Sequence, residues 1–445
     1  MSETTRKIFI ISDLHLGGEA EPGKRGFRIC THETVLAAFI DWLAAMQGAA
    51  IELVINGDVV DFLAEKADGK EPWSAFRFPE QKAVDCLDII VKRSALVFDA
   101  LKRFLATGHR LVILPGNHDI ELNLPAVRRR LREHVGAGRG GDYEFIAHGE
   151  AYRVGDVLIE HGNRVDDMNF VDYHSLRHLC GLVSRGMAVR DEFLFDPPAG
   201  SKLVAEVINK IKKDYSFIDL LKPEAKAALP VILALEPGRS GELLKIAKAL
   251  AAAKFRRRQQ LRDYNSNISA MEIEPVAVGS EEEISLLGTA RSFASLLLGA
   301  RDETWERRLH ELFDALRSFQ NADSFDRSIE TEAAYYNEAR DLAYGPIRHV
   351  VFGHTHLAKQ VPLPGGGFYF NCGTWADLLM LPRDILDSTR KFAPLAELEH
   401  LVRGLCVNDL SRDDMFHPTY VSMGQDDTGH SVAVDLCDFP KELWR

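Results

Sequence analysis

Asp13-Leu14-His15, Asp58-Val59-Val60-Asp61, Asn117-His118-Asp119, His161 and His354-Thr355-His356 gather ten side chains that can bind metal ions or carry protons into five short clusters. Each cluster closes a hydrophobic run. A strand that ends in a turn can aim a side chain into a pocket shared with its neighbours, and several such ends can hold two metal ions between them. Carboxylate, amide oxygen and imidazole in one set suit borderline divalent ions, Mn²⁺ first, with Zn²⁺ and Fe as alternatives, whereas Mg²⁺ and Ca²⁺ prefer oxygen alone. One Asp or His at a strand end is ordinarily a cap or turn residue. The whole set, in this order, points instead to a dinuclear metallohydrolase.

The elements that must position these residues can be read from periodicity. Lys7–Ile11, Ile51–Ile55 and Arg110–Leu114 are short β-rich runs that stop at Asp13, Gly57-Asp58 and Gly116-Asn117. Helical periods over about Thr34–Met46 and Val84–Ala106 separate them, the pattern of an α/β fold whose sheet is covered by helices. Sites in such folds gather at the carboxyl ends of the strands. A hairpin is expected next, from Tyr143–Ala147 through a turn at His148-Gly149-Glu150 to Ala151–Val154 and Val157–Glu160, where His161 follows. From about Asp166 to Tyr344 the chain turns Ala-, Leu-, Lys-, Arg- and Glu-rich, as in Glu242–Arg262 and Thr304–Ser318, and reads as helical. Strand character returns at Arg348–Phe352 and Gly367–Asn371, and a last hairpin is expected from Thr419–Met423 and Ser431–Leu436. The expected division is residues 1–165 and 346–445 as two parts of one core, with 166–345 as a helical insertion or lid domain.

Composition fits a soluble enzyme. The chain has 445 residues, 46 % hydrophobic and 27 % charged, ordinary values for a globular protein long enough for two domains or one core with an insertion. A formal net charge of −12 disfavours an extended nucleic-acid partner, because such binding draws on neutralising many phosphates. Arg128-Arg129-Arg130 and Arg256-Arg257-Arg258 are local exceptions without an assigned role, since charge runs are usually solvated helix faces. The six cysteines form no CxxC pair, which fits reduced thiols and a cytoplasmic location. No apolar run approaches the ~18 residues needed to span a bilayer. Peripheral membrane contact and a homodimer through the insertion remain open.

Asp13-Leu14-His15, Gly57-Asp58-Val59-Val60-Asp61, Gly116-Asn117-His118-Asp119, His161-Gly162 and Gly353-His354-Thr355-His356 together resemble the motifs of the calcineurin-like metallophosphoesterases, in order. The resemblance covers about residues 7–165 and 346–376. It implies a four-layer α/β/β/α sandwich, here with a large mainly helical insertion. It also implies that Asp13, His15, Asp58 and His356 bind one ion and Asp58, Asn117, His161 and His354 the other, with Asp58 bridging. Such a centre hydrolyses phosphoesters through a hydroxide held between the ions.

On this scheme His118 is the motif histidine outside the metal shells, there to stabilise transition-state charge or protonate the leaving oxygen. Asp119 is expected to orient it by a carboxylate–imidazole hydrogen bond. Asp61 is expected to back a ligand imidazole rather than coordinate. Asn163 and Arg164 are candidates for the substrate phosphate, although a surface salt bridge is an equal reading for Arg164. His174 and His178 have helical spacing but lack the Glu of a protease zinc motif. His32, His109, His134, His148 and His349 receive no role. Apolar stretches at Leu229–Leu235 and Phe293–Leu298 read most simply as core of the insertion, and more sharply as a lid pocket for an acyl or nucleoside group.

Within the superfamily the Ile-Ser-Asp-Leu-His-Leu opening, the Gly-Asn-His-Asp motif and Asn371-Cys372-Gly373-Thr374-Trp375 are similar to the UDP-2,3-diacylglucosamine diphosphatase branch. Asn163 in place of an Asp and the longer insertion depart from it. The expected activity is hydrolysis of a phosphodiester or pyrophosphate in a small-molecule or lipid-linked substrate. A nuclease, a cyclic-nucleotide phosphodiesterase and a phosphomonoesterase are the enzymatic alternatives. A non-catalytic scaffold is disfavoured because no ligand is missing.

Overall fold

The computed structural model of the chain describes residues 6–19, 26–66, 72–138, 142–213, 216–222, 309–310, 312–314, 322–380, 396, 398–400, 416–426 and 428–444. Its contacts divide into two compact units, one of Met1–Lys222, Ala322–Met380 and Gly404–Arg445 and another of Pro223–Asn321 and Leu381–Arg403. In the second unit Leu309, Leu312, Phe313 and Leu398 are buried. The sequence stretches 229–235, 242–262 and 293–298, and most of 304–318, lie outside the described residues.

The first unit is built on two sheets. In one, β1 (Arg6–Ile11), β2 (Ala50–Asn56), β3 (Arg110–Leu114) and β4 (Tyr143–Phe145) run parallel, and β10 (Thr419–Gln425) and β11 (Ser431–Asp438) extend it antiparallel beside β1. The other has the order β5 (Tyr152–Val154), β6 (Val157–Ile159), β7 (His349–Phe352), β9 (Phe368–Asn371), β8 (Lys359–Pro362). There β6, β7 and β9 are parallel, and β5 and β8 are antiparallel edges. Strand pairing between β6 and β7 thus joins two parts of the chain separated by nearly two hundred residues.

Side chains alternate across a strand, and that period sorts the core into layers. Ile8, Ile10, Val54 and Val112 of the first sheet meet Val157, Ile159, Val351 and Phe370 of the second in one apolar cluster. The other faces of β1–β3, through Phe9, Ile11, Leu53, Ile55, Leu111 and Ile113, pack on helices α1 (Glu33–Ala44), α2 (Glu80–Arg93), α3 (Ala95–Ala106) and α4 (Pro125–His134). On the far side of the second sheet, Val350, Phe352 and Tyr369 pack on Tyr335 and Ala339 of the helix Ala333–Leu342. The result is the expected helix, sheet, sheet, helix stacking. Helix α5 (Tyr173–Ser184) joins the first helical layer through Leu176, Leu179 and Cys180.

Two local expectations are corrected. The helical period from Val84 to Ala106 is two helices, broken at Ser94, whose buried hydroxyl donates to Glu33 at 2.8 Å. The run Tyr143–Ala147 is not the first arm of a hairpin: β4 pairs with β3 in the first sheet, while β5 begins the second. His148 (φ 60°) and Gly149 (φ 76°) redirect the chain from one sheet to the other through left-handed backbone. The hairpin is β5–β6, and the β10–β11 hairpin forms as expected.

Candidate metal centre

Every predicted ligand sits in a loop leaving the carboxyl end of a parallel strand. Asp13 and His15 follow β1, Asp58 and Asp61 follow β2, Asn117 and His118 follow β3, His161 follows β6, and His354 and His356 follow β7. Backbone bonds lock the first two loops together, Asp13 N–H donating to Gly57 O at 3.1 Å and His15 N–H to Asp58 O at 2.8 Å. Five of these residues hold left-handed backbone: Asp13 (φ 54°), His15 (45°), Asp58 (49°), His354 (67°) and His356 (63°). Such conformations cost a non-glycine residue on the order of 1–3 kcal/mol each and persist where surrounding structure fixes them, often at functional sites. Here they turn the side chains inward.

Glycines make room for the convergence. A Cβ on Gly57 would overlap the His161 ring, and one on Gly116 would overlap the Asp58 carboxylate. Each stands one residue before a predicted ligand, so one loop's ligand passes directly over the next loop's backbone.

Two groups of donor atoms result, Asp13 with His15 and His356, and Asp58 with His161 and His354. In the first, His15 Nε2 and His356 Nε2 are 3.0 Å apart, and Asp13 Oδ1 is 3.3 Å from His356 Nε2 and 3.9 Å from His15 Nε2. Two nitrogens each about 2.0–2.1 Å from a shared ion at tetrahedral angles stand roughly 3.3 Å apart, close to this spacing. Asp58 Oδ2 lies 3.7 Å from His15 Nε2 and 3.2 Å from His161 Nε2, between the two groups. Asp13 Oδ1, Asn117 Oδ1 and His161 Nε2 are buried without a hydrogen-bond partner. Such atoms are costly unless something else satisfies them. The donors present therefore fit divalent cations.

Tautomers and orientations are fixed from behind. His161 Nδ1 is 2.8 Å from Asn56 O, which sets Nδ1 as the protonated nitrogen and turns the Nε2 lone pair to the site. His354 Nε2 lies 3.3 Å from Asp166 Oδ2, and the His354 backbone N–H donates to Asp13 Oδ2 at 2.9 Å. Asn117 Nδ2 donates to Asn169 Oδ1 at 3.4 Å, leaving Oδ1 for the site, and Asn169 Nδ2 donates to Asp166 Oδ2 at 2.8 Å. Behind Asp13, its carbonyl accepts from Thr374 Oγ1 at 2.8 Å and Trp375 N–H at 3.3 Å.

Electrostatics follow the same division. Burial opposes ionisation of Asp13 and Asp58, yet the imidazoles outweigh it, His356 and His161 at Asp13 and His161, His118 and His15 at Asp58, holding both carboxyls below the usual range. His161 is opposed by burial as well, but Asp58 and Asp13 raise it to about 9. Burial and then the charge of Lys222 lower His356 to about 3. Lys222 is thus a buried cation near the centre.

His118 and its partner differ from expectation. Asp119 accepts backbone N–H donors with both oxygens, from Gly116 at 2.6 Å and Val59 at 2.7 Å. It ties the β2 and β3 loops together instead of orienting His118. The carboxylate at His118 Nδ1 is that of Asp61, at 3.2 Å, and Asp61 Oδ2 lies 3.6 Å from His15 Nδ1. Asp61, His15 and His118 also form a trio that could hold a metal, but Asp61 approaches His15 from the nitrogen opposite the one facing His356. Asn163 Nδ2 donates to Asn169 O at 2.9 Å, and the Arg164 guanidinium pairs with Glu160 at 2.9 Å and Glu338 at 2.7 Å. Neither is among the donors that converge. Asn56, Asp166, Asn169 and Lys222 have no motif signal; Asp166 and Asn169 follow His161 closely enough in sequence that only their proximity marks them.

Two stacked sheets with ligands on their facing loop ends define a metallophosphoesterase core. Residues 6–220 match the family model of the calcineurin-like phosphoesterases, and that part of the chain belongs to the superfamily. No curated protein matches the chain. Among the described residues no helix is long and apolar enough to cross a membrane.

Proposed function

We propose that the chain hydrolyses a phosphodiester or pyrophosphate bond with two divalent metal ions, Mn²⁺ foremost, in a nucleotide-linked or lipid-linked substrate. The observation that carries this reading is the pair of donor groups, Asp13 with His15 and His356 and Asp58 with His161 and His354, with Asp58 Oδ2 3.7 Å from His15 Nε2 and Asp13 Oδ1, Asn117 Oδ1 and His161 Nε2 buried and unsatisfied. Asp13, His15, Asp58 and His356 would hold one ion and Asp58, Asn117, His161 and His354 the other. When bound, the ions supply Lewis-acid stabilisation of the phosphoryl oxygens and acidify water for in-line attack.

The chain's own residues do the rest. His118 stacks edge-on to His15, ring centroids 4.6 Å apart, and with Nδ1–H held by Asp61 it would, as the imidazolium, pass the Nε2 proton to a leaving-group oxygen. Residues 223–321 would supply selectivity for the rest of the substrate through their apolar stretches.

A screen of Mn²⁺-loaded protein against a chromogenic diester, a monoester, a cyclic nucleotide and a nucleoside-diphosphate lipid tests the proposal. Turnover of the diester or the pyrophosphate, abolished by chelation, is expected. Turnover of the monoester alone would overturn the bond assignment. Replacing residues 223–321 with a short linker should preserve chromogenic turnover and remove discrimination among the natural classes.

A further inference from the structure

A concave surface between α4 and the edge strand β4 uses none of the residues that converge on the metal centre. It is a depression of about 320 Å³, open to solvent and lined by Pro125, Arg128, Arg129 and Arg132 of α4 and by Tyr143 and Phe145 of β4. That volume is at the lower end of small-molecule sites, which run from ~300 to ~1,000 Å³.

Its charge is one-sided, for no carboxylate lines it. Arg130, on the same helix, is neutralised by Asp88 at 2.7 Å and Glu133 at 2.8 Å. Among the described residues Arg128 and Arg129 have no such partner. Arg132 is held in place, its guanidinium carbon 5.7 Å from the Tyr143 ring centroid and its Nη2 donating to Gly138 O. The Tyr143 hydroxyl is buried without a hydrogen-bond partner, an unmet need for a polar neighbour. Surface arginines on an acidic chain ordinarily find carboxylates; here they face a cavity.

We propose that this cleft binds a phosphate group, carried either by free orthophosphate or by a nucleotide. Guanidinium forks match phosphate oxygens in bidentate geometry, and their charge is retained at any physiological pH. Tyr143 and Phe145 of β4 supply an aromatic wall opposite the arginines. Such a site would respond to the product or to the polar part of a substrate without contributing a ligand to the metals.

The test is calorimetric titration of the full, metal-loaded chain with orthophosphate and separately with adenosine monophosphate, paired with hydrogen exchange. Wild type should show a binding event that protects residues 125–145. Arg128→Ala/Arg129→Ala should weaken it at least tenfold and leave chromogenic-diester turnover unchanged, while Arg153→Ala, outside the cleft, should not alter it. Binding of orthophosphate identifies the free ion as sufficient; binding of the nucleotide alone identifies an ester. Equal affinity in wild type and the double variant, loss of affinity in Arg153→Ala to the same degree, or an absence of protection over 125–145 with both probes would overturn the proposal. The exchange measurement on wild type decides the matter even if the double variant fails to fold.

Discussion

Asp61 Oδ1 lies 3.2 Å from His118 Nδ1, and this contact makes Asp61 the residue that sets the imidazole's tautomer. Burial opposes the charge on Asp61, but His118 and His15 hold its carboxyl below the usual range. The carboxylate therefore favours the Nδ1–H form of His118, with Nε2 directed away from it.

Asp61→Asn should lower kcat on a chromogenic diester by about 10²–10⁴-fold, the range of general acid–base contributions, while both metals stay bound. Steady-state kinetics beside metal analysis checks this. A variant with unaltered kcat would remove Asp61 from the proton path.

Asn169 links the supports of two ligands, Asn117 and, through Asp166, His354. Asn169→Ala is expected to weaken binding of the ion held by Asp58, Asn117, His161 and His354 by about 10–100-fold, the usual effect of losing an outer partner. The other ion should be little affected. Metal titration with a competing chelator separates the two, and uniform weakening of both would count against this role.

Gly57→Ala places a Cβ where the His161 ring lies and a side chain at φ 86°. The variant should lose at least about 1 kcal/mol of stability and bind one ion fewer. Urea unfolding and metal content measure the two effects; full metal occupancy would show that the close approach is dispensable.

Glu121 supplies a pH dependence independent of the metals. Burial raises its carboxyl from 4.5 to about 7 even though Arg77 opposes the shift. The folded chain then keeps a proton that the unfolded chain has released, so this group's contribution is present below 4.5 and is lost as pH rises towards 7. Glu121→Gln should flatten the decline in stability over that window by on the order of 1–3 kcal/mol. Urea midpoints of the two proteins that run parallel across it would contradict the assignment.

The strands that lead to the candidate site were legible because each motif ends a nearly continuous apolar run, as parallel strands buried on both faces require, and β1, β2, β3 and β7 fall within a residue or so of the runs read from sequence. Composition could not reveal that Ser94 splits a helix, since the helical period continues across it. Nor could spacing reveal which carboxylate faces His118: Asp119 is adjacent in sequence, but two backbone N–H groups claim it, and Asp61 arrives from another loop. Arg164 shows the same limit, because its partner Glu338 is remote in sequence. Long-range pairing fixes these details, and a single sequence carries no record of it.

Metal content and turnover measured on the same preparations of wild type and Asp58→Ala, after Mn²⁺ loading and gel filtration, bear most directly on the proposed centre. Two ions per wild-type chain are predicted, with loss of metal and a fall in turnover of orders of magnitude in the variant. Active wild type that holds no metal, or an Asp58→Ala chain with both ions and full turnover, would contradict it.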